Sequence, residues 1–287
     1  MTDNDAPTVE QVTAGIDWLT MTLPRDAEHL AHWQIAGIRH LNIIAAQGYQ
    51  LKPRTMLGYD GYSAGNCFVG ERDDGIMMQF TGHHAHAAFQ QLYRDDAHIS
   101  RIDLQVTARF NVMPSNIAKE AYRDATVANR RLPSHRRRKL YIIVGSDGGD
   151  TFYLGSPSSD QRARIYNKEV QSEDPDFVRT WRYECVYRND YATSVANTLN
   201  RTAFVIEEAV LSIVASWLQQ RGINCALLKA GDGMALPISR TLPTDIETKL
   251  RWIRTQVRPT IKLLIERGMQ DELLEALGIN TFTTERA

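Results

Sequence analysis

The chain has 287 residues, three cysteines and a net charge of −1, with 43% hydrophobic and 23% charged residues. That balance excludes a disordered chain, a disulfide-stapled secreted domain and a uniformly basic nucleic-acid binder, and it allows one large core or two moderate ones. Cys67, Cys185 and Cys225 are far apart, which fits a reducing cytoplasm, and the most apolar stretch, residues 204–218, carries Glu207 and Glu208 and is too short and too charged to span a membrane.

In chain order, the acidic, polar residues 1–13 are expected to be disordered and are no secretory signal. Residues 15–24 read as a strand ended by Pro24, and 26–48 as a helix capped by Asp26 and stopped by Gly48. Residues 58–72 have hairpin chemistry, 75–82 form a short strand, 86–96 a helix and 100–110 a strong strand. A helix over 114–132, capped by Ser115, leads to a hairpin of 139–145 and 150–156 around Asp-Gly-Gly. Two more strands, "RARIYNKE" and "TWRYECVYRN", are joined by an acidic loop. From Tyr191 onward helical patterns dominate, over 193–221, 244–268 and 270–277. The fold class is therefore α+β, a mostly antiparallel sheet with flanking helices over 14–190, followed by a helical region over 191–287.

Three strands carry polar residues at alternate positions, and alternate side chains share one face of a strand. "RARIYNK" presents Arg162, Arg164, Tyr166 and Lys168. "RIDLQVT" presents Asp103, Gln105 and Thr107 opposite an apolar row, and "WRYECVY" presents Arg182 and Glu184 opposite Trp181, Tyr183, Cys185 and Tyr187, which read as core aromatics. A half-solvated sheet alternates in this way routinely. The choice of groups is what points to chemistry. If the strands are neighbours, two carboxylates, several cations and a tyrosine converge on one site. Cations beside a phenol favour the phenolate, and arginines hold phosphate oxygens bidentately. Carboxylates such as Asp103 and Glu184 hold a hard divalent cation. These are the parts of a phosphoryl-transfer site with a phosphotyrosine intermediate, acting on DNA.

"RIDLQVT", "YLGSPSSDQRARIYNKEVQSE" and "WRYECVYRN", in this order, resemble the replication initiation factor family, the trans-acting initiators of rolling-circle plasmids with related relaxases and filamentous-phage proteins. "MQFTG" followed by a helix also fits, and the resemblance covers about residues 15–190. It implies an origin-specific DNA nickase over residues 14–190, with its tyrosine in Arg164, Tyr166 and Lys168, assisted by Arg162. It implies Mg2+ or Mn2+ held by Asp103 and Glu184 and an origin of replication or transfer as partner; a host helicase and a homo-oligomer are further expected partners, and the cysteine pattern sets the expected location as cytoplasmic. Departures are Pro157 in place of an arginine, Thr107 where a second acid is common, and Gln79 where an acid would complete a metal shell. They motivate a second expectation, a catalytically inactive DNA-binding regulator of the same fold. A tyrosine recombinase, being mainly helical, fits less well.

His84 and His86 resemble a His-hydrophobic-His metal motif, but their surroundings favour a helix, on which residues two apart do not share a face. Arg130, Arg131, Arg136, Arg137, Arg138 and Lys139 form a basic loop; a solvated loop is the ordinary reading, and contact with DNA phosphates, joined by Arg182, is the expectation. Residues 249–268 read as an amphipathic helix with a basic outer face, interrupted near Pro259.

Overall fold

Strands with apolar residues at alternate positions need a partner layer to cover one face, and the chain joins them in one large sheet. The computed structural model describes residues 6–172, 174–202, 205–223, 253 and 257–276. The elements run β1 (Val9–Pro24), α1 (Ala27–Ala46), β2 (Lys52–Met56), β3 (Tyr59–Ala64), β4 (Cys67–Arg72), β5 (Gly75–Thr81), α2 (His83–Leu92), β6 (His98–Phe110) and α3 (Ile117–Arg130). They continue with β7 (Leu140–Ile143), β8 (Thr151–Leu154), β9 (Gln161–Asn167), α4 (Lys168–Ser172), β10 (Thr180–Arg188), α5 (Asn189–Arg201) and α6 (Ile206–Gln219). The chain divides into two compact units, Met1–Arg240 and Thr241–Ala287. In the second, α7 (Arg258–Glu266) and α8 (Gln270–Ala276) are described, with Pro259 in the first turn of α7. Residues 244–252 of the helix expected there lie outside the described residues.

Ten strands form a single sheet in the order β2-β3-β4-β5-β1-β6-β10-β9-β8-β7. Every neighbouring pair is antiparallel. This is the α+β class the sequence pattern calls for. Helices α1, α2, α3, α5 and α6 pack on the sheet. The core lies between them, and Ile102, Leu104, Val106, Tyr183, Cys185 and Tyr187 are each fully buried. Trp181, Tyr183 and Tyr187 are thus core aromatics.

Three local expectations are corrected, and one strand forms where none was expected. β1 begins at Val9, inside the stretch expected to be disordered, because β6 is long enough to pair with it there: Val9 lies opposite Phe110. The N-cap of α3 is Asn116 rather than Ser115. β9 ends at Asn167, whose side chain donates to Gly148 O and accepts from the Val170 N–H, so Lys168 opens α4 instead of closing the strand. β2 is an exposed strand without apolar alternation, and its pairing with β3 alone defines it. In addition, α5 and α6 follow the change in composition near residue 190, yet pack on β6, β10 and β1. Among the described residues no helix is long and apolar enough to cross a membrane.

Candidate functional site

The three strands with polar rows are adjacent in the order β6-β10-β9. Their register sets Arg182 between Tyr166 and Thr107, and Glu184 between Arg164 and Gln105. Val186 lies between Arg162 and Asp103. Arg162, Arg164 and Tyr166 therefore share one face with Arg182, Glu184 and Asp103, opposite the helix-covered core. The turn into β9 depends on Gly155, which has φ +98 and whose absent Cβ would meet the Arg162 Cβ at 3.0 Å.

Ion pairs knit this face together. The Arg164 Nη2 donates to Glu184 Oε2 at 2.6 Å. Arg101 holds Asp103 through two bonds, at 2.9 and 2.5 Å, and covers the Trp18 ring at 4.0 Å. Arg182 donates to Thr107 Oγ1 at 3.0 Å and faces Asp17 at 3.6 Å. Asp17, Trp18 and Arg101 were not singled out by sequence reasoning. A signal existed: Ile16 and Leu19 are both buried, an interval of three instead of two, which marks a bulge. The pairing of β1 with β6 shifts register there. The extra residue leaves Asp17 and Trp18 both turned to the polar side, where each meets an arginine.

The electrostatics differ from the expectation for the tyrosine. Tyr166 is buried, with 5% exposure. Its phenol is pushed up to about 12, by burial first and then by the Glu184 charge, and these outweigh the opposing pull of Arg182 and Arg164. The neighbouring cations do not produce a resting phenolate, because desolvation of the anion is the larger effect. Arg164 sits over the Tyr166 ring at 5.1 Å. Asp103 is raised to about 6 by burial, with Arg101 opposing and Glu184 and Asp17 adding. Lys168 is lowered, mainly by burial and then by Arg182; its Nζ donates to Gln171 and lies 4.9 Å from the Phe177 ring. Arg182 is 5.4 Å from the same ring, so the link between β9 and β10 stands beside the site. Arg188, opposite Arg101, is lowered by burial and by Arg101 and Arg162, a mark of surplus positive charge at that end of the face.

A divalent cation fits this face in part. Glu184 is fully buried and its Oε1 has no hydrogen-bond partner, an acceptor left over for a cation. Asp103, however, is engaged by Arg101, and among the described residues no cluster of three or more His, Cys, Asp or Glu could hold a metal. Asp103 and Glu184 would be its protein ligands, the rest of the shell coming from water or substrate oxygens.

The other expected residues lie elsewhere. Arg130, Arg131, Arg136, Arg137, Arg138 and Lys139 are all exposed at the end of α3 and in the link to β7. His84 and His86 are on α2, as the pattern suggests, and diverge: the His84 ring lies 3.8 Å from that of His83, while His86 Nε2 is 3.3 Å from Glu207. On β7 and β8, Tyr141 and Tyr153 stack with centroids 4.5 Å apart, and Tyr153 pairs in register with Arg164.

The sequence matches the replication initiation factor family over residues 97–277. The solved structure of the rolling circle replication initiator protein from Geobacillus stearothermophilus is similar in fold, with a TM-score of 0.53 and 21% identity over 81% of this chain and 100% of that one. No curated protein matches.

Proposed function

The chain belongs to the replication initiation factor family, and on that premise we propose that it nicks one strand of DNA at an origin and keeps the 5′ end as a phosphotyrosine on Tyr166. The observation that carries this reading is the register that sets Tyr166 opposite Arg182 and Arg164 opposite Glu184 on one face. In the reaction the Tyr166 oxygen bonds to phosphorus, the P–O3′ bond breaks, the phenol proton passes to water and the leaving 3′ oxygen takes a proton from water. The bond energy is kept for strand transfer, and the free 3′ hydroxyl primes synthesis in the cytoplasm, with a host helicase opening the duplex. Arg162, Arg164 and Arg182 hold the scissile phosphate and oppose its charge. A Mg2+ or Mn2+ ion at Asp103 and Glu184, when bound, polarises a phosphoryl oxygen. The stacked Tyr141 and Tyr153 offer ring surface to unpaired bases beside Arg164.

Burial of Tyr166 favours a second reading, a DNA-binding regulator that keeps the fold without the reaction. One assay separates the two. The protein is incubated with labelled single-stranded origin DNA and a series of divalent metals, then denatured. The nickase gives a covalent adduct that Tyr166→Phe lacks while still binding DNA. Absence of an adduct in every metal removes the nickase and leaves the regulator; an adduct formed by Tyr166→Phe removes Tyr166 as the nucleophile.

A further inference from the structure

The face of the sheet opposite Tyr166 has a positively charged pocket of about 420 Å3 between the ends of α3 and α6. Its apolar wall includes Ala128, Leu132 and Leu154, and its polar groups include the guanidinium-bearing Arg136, Arg138 and Arg221. None of its lining residues is Asp or Glu. Leu154 places it on the core side, since β8 and β9 turn Phe152, Leu154, Ala163 and Ile165 inward.

Arg221 is the least ordinary of the three. It follows α6, lies 3.5 Å from the centre of the Trp217 ring, and donates to Trp217 O at 2.8 Å and Gln161 Oε1 at 3.0 Å. Its Nε is buried without a partner. No carboxylate lies within ion-pair distance of Arg136, Arg138 or Arg221 among the described residues, although the chain as a whole carries as many acids as bases to within one charge. Burial, and then the Arg138 charge, pull Arg221 down to about 10. A partly desolvated cation without a counter-ion is a costly arrangement, relieved when an anion binds. The Arg138 backbone is fixed by Asn129, which accepts from Arg138 N and donates to Arg138 O, each at 2.9 Å. The pocket is thus held by the fold and is more than a chance meeting of flexible side chains.

We propose that Arg136, Arg138 and Arg221 form a phosphate site on the helical face, which takes a backbone phosphate of the same DNA outside the stretch held at Tyr166. The choice of DNA rests on the function proposed above; the affinity for a phosphate oxyanion does not. DNA is favoured because Arg130, Arg131, Arg137 and Lys139 extend the charge from the pocket along the exposed α3–β7 link, a track longer than one small anion needs. The site differs in kind from the polar sheet face, which pairs each of its buried arginines with an acid.

Two measurements on the full chain test this. Inorganic phosphate, against chloride at equal ionic strength, raises the unfolding temperature of the unmodified protein and does so less in Arg138→Gln, whose side chain is exposed and whose backbone contacts persist. Duplex origin DNA, titrated over a range of salt, loses about 0.9 from its log–log salt slope in Arg138→Gln for the one phosphate contact removed. Arg221→Gln, compared at a temperature where its tryptophan fluorescence is native, should show both effects. Equal phosphate stabilisation in all three proteins overturns the site. Phosphate stabilisation that depends on Arg138, with an unchanged salt slope, overturns DNA as its source in favour of a free phosphate. Loss of both effects in the variants together with no covalent adduct from any protein keeps the site and removes the nickase.

Discussion

Glu184 shows what a single residue does on this face. One oxygen accepts from Arg164 at 2.6 Å; the other has no partner, and the side chain is fully buried. Removing the cation strands a buried charge, whereas removing both groups leaves an apolar pair. Arg164→Leu is expected to cost about 2 kcal/mol, less than for a fully enclosed pair because the guanidinium is partly solvated, and adding Glu184→Leu should return much of it. Urea unfolding of the single and double variants measures both values. The residues of this face were legible in the sequence to the extent that period-two alternation held. Arg162, Arg164 and Tyr166 could be read as a row, and so could Arg182 and Glu184. Lys168 could not, because the strand ends one residue earlier in bonds made by Asn167. The residue pattern alone makes Tyr166 a phenol activated by cations; burial, which no local pattern reveals, reverses the sign. Arg221 is invisible to any local reading, since its partner Gln161 lies 60 residues away.

At the scale of elements, α1 is anchored by its first turn. Asp26 accepts from the His29 N–H at 2.9 Å, and the His29 ring, itself bonded to Asp26, also reaches Asp96 at 2.8 Å in the link between α2 and β6. Asp96 is the chief cause of a raised His29 pKa, with burial opposing and Asp26 adding. A folded pKa above the unfolded value gives stability that is full below about pH 6.5 and is lost as pH rises through the raised value. The His29 contribution is therefore expected to fall as pH rises above about 6.5, and His29→Gln to remove that fall from the stability curve. Chemical unfolding at closely spaced pH values checks it; a slope unchanged by the substitution would assign the loss to another group. The Asp26 cap was readable from the residues before an apolar helical pattern. The β1 bulge was also present in the spacing of Ile16 and Leu19, but one interval of three is a weak mark without a partner strand beside it.

For the whole molecule, the break in composition near residue 190 and the break in structure are different things. α6 buries Val210, Ile213, Val214, Trp217 and Leu218, and it packs on β1, β6 and β10. Composition reports the change from strands to helices; it does not report which layer the helices join. A fragment of residues 1–190 should expose the apolar floor of the sheet and aggregate, whereas residues 1–240 should unfold cooperatively, as sedimentation and calorimetry would show. The antiparallel α+β class itself was legible because each strand carries its own alternation. The order of the strands was not, since that is set by pairings between distant parts of the chain.

The position of β1 has a consequence for synthesis. It lies in the sheet interior, between β5 and β6, and its first residue pairs with Phe110. At ribosomal speeds of about 5–20 residues per second, β1 waits about 5–20 seconds for β6 to be completed, with both hydrogen-bonding margins bare until β5 has been made and one bare after that. During that interval the nascent polypeptide is a ready template for intermolecular β-pairing, and nascent-chain chaperones have their clearest task there.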